Sequence, residues 1–386
     1  MKILFVLTYY RPHVSGLTIY VERLARALAE RGHRVTVLTS QYDKQLARHE
    51  RLDGVQVLRV PVAFRISKGV VMPTIGFEAT RQVLRHDVLS LHLPQLDAAG
   101  VALRGRLLGR PVTLTYHCDL RLPRGMINTL ADQVVKVANR FAAAFSDIVI
   151  AYTEDFARHS PFLSRYLGKL RVISPPVEVQ PAREEEVAHF IQQHRKTQGP
   201  AIGMAARLAT EKGVEYLLGA MDEIVQRHPQ IEVLFAGQYQ DVLGEETYAR
   251  QLAPLLERFQ DHWNFLGVLD PKQMSAFFKA CDVTVLPSVN STESFGLVQI
   301  ESMICGTPVV ASNLPGVRQP IRKTGMGKVI PIRDSSALAE AILEVIENRD
   351  GFQGNREIIA QQYSPGVTAE GYERLFLELL GGIDRD

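Results

Sequence analysis

Apolar residues along the chain fall into short unbroken runs, separated by amphipathic stretches and polar loops. The first run, Ile3-Leu4-Phe5-Val6-Leu7, is continuous, as expected of a strand buried on both faces. Val21, Leu24, Ala25, Leu28 and Ala29 then recur at helical spacing, and Gly32 ends that helix. Val35–Thr39 reads as the next strand, followed by strand-like runs at Val55–Val60, Val88–Leu91, Val112–Tyr116 and Ile148–Tyr152. The alternation pauses at Ser174-Pro175-Pro176-Val177 and at the charged stretch Arg183-Glu184-Glu185-Glu186, which places a domain boundary near Pro175. It then resumes. Strands are predicted at Ala201–Ala205, Glu232–Ala236, His262–Phe265, Val283–Leu286 and Pro308–Ala311. Helices are predicted around Val214–Gln226, Pro271–Lys279, Phe295–Cys305 and Ala337–Asn348. Two parallel α/β domains in tandem follow from this pattern. Ligands of such sheets lie beyond the carboxyl ends of the strands, so the expected site is a cleft where the two sheets face each other.

Composition narrows the class. The 386 residues are 46% apolar and 22% charged, which is ordinary for a globular protein and fits two domains. No apolar run approaches the roughly 20 residues of a membrane span. The run ending at Tyr10 is stopped by Arg11-Pro12 and lacks a signal peptide's features. Cys118, Cys281 and Cys305 are odd in number and far apart, so neither a disulfide framework nor a zinc knuckle is expected. A cytoplasmic location with reduced thiols is the expectation. Net charge is +2, yet the first 180 residues carry 25 Lys and Arg against 14 Asp and Glu. That basic half fits an acidic partner: anionic lipid, nucleic acid or a phosphorylated substrate. It equally fits an uneven, solvated surface.

Four segments carry candidate chemistry. Glu293-Ser294-Phe295-Gly296-Leu297-Val298-Gln299-Ile300-Glu301 follows a strand and a loop of small residues, and a helix is expected to begin near Phe295. The backbone N–H groups of Phe295, Gly296 and Leu297 would then point at an anion, and Gly296 would let a phosphate approach. Glu293 and Glu301 would contact different parts of one elongated ligand. A helix with acids in its first turns, favoured by its dipole, fits the same spacing. In Ala206–Gly213, Arg207 and Lys212 are placed to converge on a diphosphate, Arg as a flat fork and Lys as a point charge; two solvated loop cations fit as well. The first loop, Arg11–Leu17, contains Gly16, as most such loops contain a glycine. Thr115-Tyr116-His117-Cys118-Asp119 ends a strand, where His117 would face the cleft, although a lone histidine is more often structural. No Gly-x-x-x-x-Gly-Lys-Ser/Thr, no Gly-x-Gly-x-x-Gly after the first strand and no Gly-x-Ser-x-Gly is present. Asp384-Arg385-Asp386 is an Asp-x-Asp at the chain terminus, where fraying is expected.

In this order the segments resemble the family 4 retaining glycosyltransferases of the GT-B fold. Glu293-x7-Glu301 with Ser302–Ser312 is similar to the family's signature block, Arg207–Lys212 to its phosphate clamp, and Ser15-Gly16 with Arg31–Val35 to its N-terminal block. The resemblance implies two Rossmann-like domains. Residues 1–175 would form the acceptor domain, joined by a crossover helix within 366–386 (about Gly366–Leu380), and 176–365 the nucleotide-sugar domain. It implies that Arg207 and Lys212 bind the donor diphosphate, that Glu301 binds the ribose and that Glu293 contacts the hexose. The amides of Phe295, Gly296 and Leu297 would support sugar and phosphate, with His117 at the sugar's other side. Gly16 would lie near the diphosphate and Gly267-Val268 would meet the base. Three departures stand out: Ser15-Gly16 replaces a double glycine, Gly237-Gln238-Tyr239 lacks the second glycine of a Gly-x-Gly, and Pro175-Pro176 replaces an interdomain Asn-Gly.

The implied reaction is hexose transfer from a nucleotide sugar, GDP-mannose or a UDP-hexose, to a glycan or lipid-linked hydroxyl. It needs no metal and no cofactor beyond the donor. A disaccharide phosphorylase or synthase of the same fold, or a catalytically silent nucleotide-binding relative, are the alternatives. Arg65, Lys68, Arg104, Arg106, Arg110, Arg121 and Arg124 motivate peripheral contact with the anionic cytoplasmic leaflet rather than with nucleic acid.

Overall fold

The computed structural model describes residues 1–66, 69–119 and 126–383. Lys68, Arg121, Arg124 and Asp384-Arg385-Asp386 lie outside them. The chain divides into two compact units, Met1–Pro176 with Tyr363–Asp386, and Val177–Gln362.

In the first unit the strands are β1 (Lys2–Val6), β2 (Arg34–Gln41), β3 (His49–Leu52), β4 (Val55–Pro61), β5 (Phe64–Ile66), β6 (Gly69–Val71), β7 (Val88–Leu93), β8 (Val112–Tyr116), β9 (Ile148–Ala151) and β10 (Leu170–Val172). All but the β5–β6 hairpin join one sheet in the order β10-β9-β8-β7-β1-β2-β4-β3, parallel except for the β3 edge. The helices are α1 (Gly16–Glu30), α2 (Ile75–Val83), α3 (Ala98–Leu107), α4 (Met126–Phe145) and the short α5 (Glu154–His159). β1 and β7 are buried along almost their whole length, which is why each reads as an unbroken apolar run. The sequence pattern does not mark β3, β5, β6 or β10. β3 is polar and alternates between exposed and half-buried positions, and the other three are only three residues long.

The second unit contains α6 (Glu184–His194), β11 (Ala201–Ala205), α7 (Val214–Arg227), β12 (Glu232–Ala236), α8 (Glu246–Arg258), β13 (Trp263–Gly267), α9 (Pro271–Ala280) and β14 (Val283–Leu286). It continues with α10 (Leu297–Ile304), β15 (Val309–Ser312), α11 (Arg318–Thr324), β16 (Gly327–Ile330), α12 (Ser335–Glu347) and α13 (Arg356–Gln362). Its sheet is parallel throughout, in the order β13-β12-β11-β14-β15-β16. The strand order reverses between β11 and β14 in this unit, and between β1 and β7 in the first. One core packs α7, α8 and α12 against one face of the second sheet through Leu217, Met221, Leu252 and Ile342. Phe190, Phe277 and Cys281 fill the other face beneath α6 and α9.

The last helix, α14 (Pro365–Ile383), belongs to the first unit and packs on α1. Tyr372 and Phe376 are fully buried there. The Tyr372 hydroxyl pairs with Tyr20 Oη at 2.9 Å and Thr115 Oγ1 at 2.7 Å. At the surface Glu373 accepts from Arg31 and lies 2.8 Å from His33 Nε2. Hydrogen bonding from Arg31, the largest effect, and from His33 holds the Glu373 carboxyl below its usual range. Tyr372→Phe keeps the ring but strips a partner from two buried hydroxyls. Chemical denaturation is expected to show a loss of about 1–3 kcal/mol, the cost of orphaned buried polar groups.

Candidate functional site

In the second unit, the loops leaving β11 and β14 meet where the strand order reverses, the crevice in which open parallel sheets bind ligands. The β11–α7 loop is tied to its neighbours by backbone bonds. Ala206 N–H donates to Ala236 O at 2.9 Å and Leu208 N–H to Gln238 O at 2.8 Å. A single 3-10 turn, Thr210–Lys212, ends at Gly213 in the left-handed region, with φ of 67°. A Cβ on Gly213 would lie 2.2 Å from the Pro287 carbonyl oxygen, so both conformation and space demand glycine. The close approach lets Val289 N–H donate to Glu211 O at 3.0 Å, locking the two loops together.

The consequence is a charge cluster. Lys212 Nζ donates to Glu293 Oε2 at 2.6 Å, with both side chains largely buried. Arg207 Nη2 donates to Glu211 Oε1 at 3.1 Å, and its side chain is 51% exposed. The structure therefore brings Lys212 and Glu293 together and sets Arg207, paired with Glu211, on the same loop as Lys212.

The helix carrying Glu301 begins two residues later than its sequence suggests, at Leu297 instead of Phe295. Gly296 is its N-cap, with φ of 78°, and a Cβ there would meet Leu286 Cδ2 at 2.5 Å and Gln299 Nε2 at 2.7 Å. That glycine is thus required by packing within the protein. The leading N–H groups are those of Leu297 and Val298, ahead of the helical ladder. Gln299 N–H already bonds Gly296 O, and Phe295 is buried with its carbonyl accepting from Gln299 Nε2 at 2.8 Å. Glu301 stands half-buried just over one turn into α10. Val268, 76% exposed, follows the left-handed Gly267 at the end of β13. Ser288, on the same loop as Glu293, is fully buried, and its hydroxyl has no hydrogen-bond partner. No motif marked it in the sequence.

Two of the family departures have local causes. Ser15 is the N-cap of α1: its Oγ accepts from Thr18 N–H at 3.2 Å, so the side chain turns into the helix start. Gly16 beside it would meet nothing within 4 Å if it carried a Cβ. Gly237 is retained because a Cβ would strike the Ala206 carbonyl at 2.0 Å, whereas Tyr239 stacks on Phe265 with centroids 4.3 Å apart.

In the first unit His117 departs from expectation. The ring is buried and does not project outward. Its Nδ1 pairs with Tyr152 Oη and its Nε2 lies 3.0 Å from His92 Nδ1, so both nitrogens bond within the protein. Tyr20 packs edge-on against it with centroids 4.9 Å apart. Burial pushes the His117 pKa down to about 3 and His92 well below its usual range, so both imidazoles are neutral at pH 7. Unfolding restores an ordinary histidine near 6.5, so the unfolded chain binds more protons between pH 3 and 6.5. Stability is therefore lost as pH falls below about 6.5, by ~2 kcal/mol at pH 5 from His117 alone. Melting temperatures at pH 7 and 5 should diverge strongly for the wild type, and less for a His92→Gln/His117→Gln variant.

Comparison with known proteins finds matches over both units. The family model described as "Glycosyl transferases group 1" matches residues 186–363, and "Glycosyl transferase 4-like domain" matches residues 15–176. The phosphatidyl-myo-inositol mannosyltransferase of Mycobacterium tuberculosis is 24% identical over 99% of this chain and 98% of its own. The D-inositol 3-phosphate glycosyltransferase of Acidothermus cellulolyticus is 28% identical over 86% of this chain and 78% of its own. Among solved structures, sucrose-phosphate synthase from Thermosynechococcus elongatus superposes with a TM-score of 0.78 at 20% identity, covering 99% of both chains. HepE of Anabaena in complex with UDP-glucose also scores 0.78 at 20% identity, covering 98% of this chain and 100% of that one.

Proposed function

Since the chain belongs to the group 1 glycosyltransferases and has their GT-B fold, we propose a retaining hexosyl transfer that needs no metal. The hexose comes from a nucleoside diphosphate sugar and goes to a hydroxyl of a glycan or lipid-linked acceptor. The observation that carries this reading is the cluster of Arg207, Lys212 and Glu293 at the switch point between β11 and β14. Negative charge grows on the departing diphosphate in an oxocarbenium-like transition state. Two cations and the α10 N-terminus are suited to stabilise that charge. Arg207 grips two phosphate oxygens as a fork, and Lys212 acts as a point charge. Glu293 holds Lys212 in place before the donor arrives and then contacts the hexose, while Glu301 takes the ribose hydroxyls and Val268 the base. In this reading a diphosphate oxygen accepts the acceptor's proton on the face the nucleotide leaves. Glu293 is then not a covalent nucleophile. We assign the His117 ring to fixing the end of β8, and Gly16 to keeping open space at the start of α1.

For the donor, the names of the relatives favour a mannosyl or glucosyl group, carried as GDP-mannose or a UDP-hexose. For the acceptor they favour an inositol, free as its phosphate or carried on a lipid; our reading places a lipid-linked acceptor at the cytoplasmic leaflet. Among the described residues no helix is long and apolar enough to cross a membrane.

Arg207→Ala is expected to lower turnover by ~10²-fold, the scale of one lost charge-stabilising group. Lys212→Ala should cost more, because it also leaves the Glu293 carboxylate facing the diphosphate without its partner. Near-normal turnover in both variants would remove the clamp. A thermal-shift series with GDP, UDP, ADP and dTDP and their hexose conjugates should show stabilisation by one nucleotide family. That stabilisation should weaken in Arg207→Ala. The anomeric coupling constant of the product by NMR distinguishes retention from inversion.

A further inference from the structure

We propose that the outer face of α2, α3 and α4 in the first unit is a docking surface for an anionic lipid bilayer. The proposal deepens the reading above, since it rests on an acceptor presented at a membrane. The inner faces of the three helices pack through Ala79, Val101 and Ala142 onto the first sheet. α3 lies between the other two, so their outer faces are continuous. This outward layer carries large apolar side chains that the protein leaves in water: Phe77 is 76% exposed, Leu107 74% and Phe141 55%. Interleaved with them are the exposed cations Arg85, Arg106 and Arg140, one on or just beyond each helix.

Among the described side chains of these three helices, Glu78 is the one acid. Glu78, the acid on α2, is engaged by Gln82 Nε2 and lies 3.9 Å from Arg81. Asp87 accepts from Lys2 N–H at 2.7 Å. Arg104, which the sequence places with the cations, turns into the α2–α3 seam, where its Nε donates to Thr80 Oγ1 at 2.9 Å. Arg65 lies elsewhere, on the β5–β6 hairpin, donating to Tyr42 O. A polyanion such as nucleic acid would neutralise the cations but leave Phe77 and Leu107 in water. A bilayer interface takes both: acyl chains bury the apolar groups and anionic headgroups meet the guanidinium groups. Charge complementarity together with interleaved apolar side chains therefore selects the bilayer.

The test uses the full-length protein and vesicles of phosphatidylcholine alone or with 30 mol% phosphatidylglycerol. Co-sedimentation should be strong on the anionic vesicles at low salt, weak on neutral ones, and lost in 0.5 M NaCl. A triple variant, Arg85→Gln/Arg106→Gln/Arg140→Gln, should lose about 100-fold in binding, three cations at a typical headgroup interaction each. Phe77→Ser/Leu107→Ser should lose at least tenfold even at low salt, while Arg65→Gln binds as wild type. Both surface variants should keep their nucleotide-induced thermal shift and their transfer to a water-soluble acceptor, which shows that they fold and tests the sugar chemistry separately. Equal binding to neutral vesicles, no binding to anionic ones, or wild-type binding by the triple variant would overturn the surface while leaving the transferase reading intact. So would self-association abolished by Phe77→Ser/Leu107→Ser, or binding to RNA but not to vesicles.

Discussion

Parallel strands impose the constraint from which the rest of this molecule follows. Two parallel neighbours cannot be joined by a tight turn, so each connection crosses back over the sheet, here mostly through a helix. All the strand-to-helix loops of a sheet therefore emerge at the same end. Where the strand order reverses, adjacent loops diverge over opposite faces and leave a gap between them. The second unit fills that gap with Arg207, Lys212 and Glu293, residues from two loops 81 or more positions apart. The left-handed Gly213 lets those loops touch, because its absent Cβ is where the Pro287 carbonyl sits. Lys212 can then find Glu293. The ion pair thus depends on backbone geometry at a glycine that carries no chemistry itself.

Much of the fold was legible because burial on both sheet faces leaves an unmistakable trace. Ala201–Ala205, Glu232–Ala236 and Val283–Leu286 begin and end where the sequence pattern places them. The edges were not legible. His49–Leu52 has one partner strand and one face in water, so nothing forces an apolar run on it. α10 starts two residues past the sequence expectation because a left-handed glycine, Gly296, caps it without the side-chain signal that marks other helix starts. Ser15, Asp270 and Asp334 carry that signal.

At the site, the charged residues were legible by type and loop position, but their pairings were not. Nothing in the spacing of Lys212 and Glu293 says that they touch. His117 shows the converse. Its place at the end of a strand suggests an outward ring, but the partners that turn it inward, His92, Tyr152 and Tyr20, come from three other elements. Pairing across distant segments is a property of the packed chain. The buried, unpaired hydroxyl of Ser288 belongs to the same class, since serine in a loop gives no sign of where its side chain will be enclosed.

The return of α14 to the first unit has a consequence for biosynthesis. A chain made from its N-terminus completes the second unit's continuous segment, Val177–Gln362, before α14 is available. Until then Tyr20 and Thr115 lack the hydroxyl they pair with, and the side of α1 that α14 covers stays open to water. The unit that begins first on the ribosome therefore finishes last, and its maturation waits on residues that emerge nearly two hundred positions later. During that interval the nascent chain carries an apolar seam of the kind that chaperones bind and that invites misassembly.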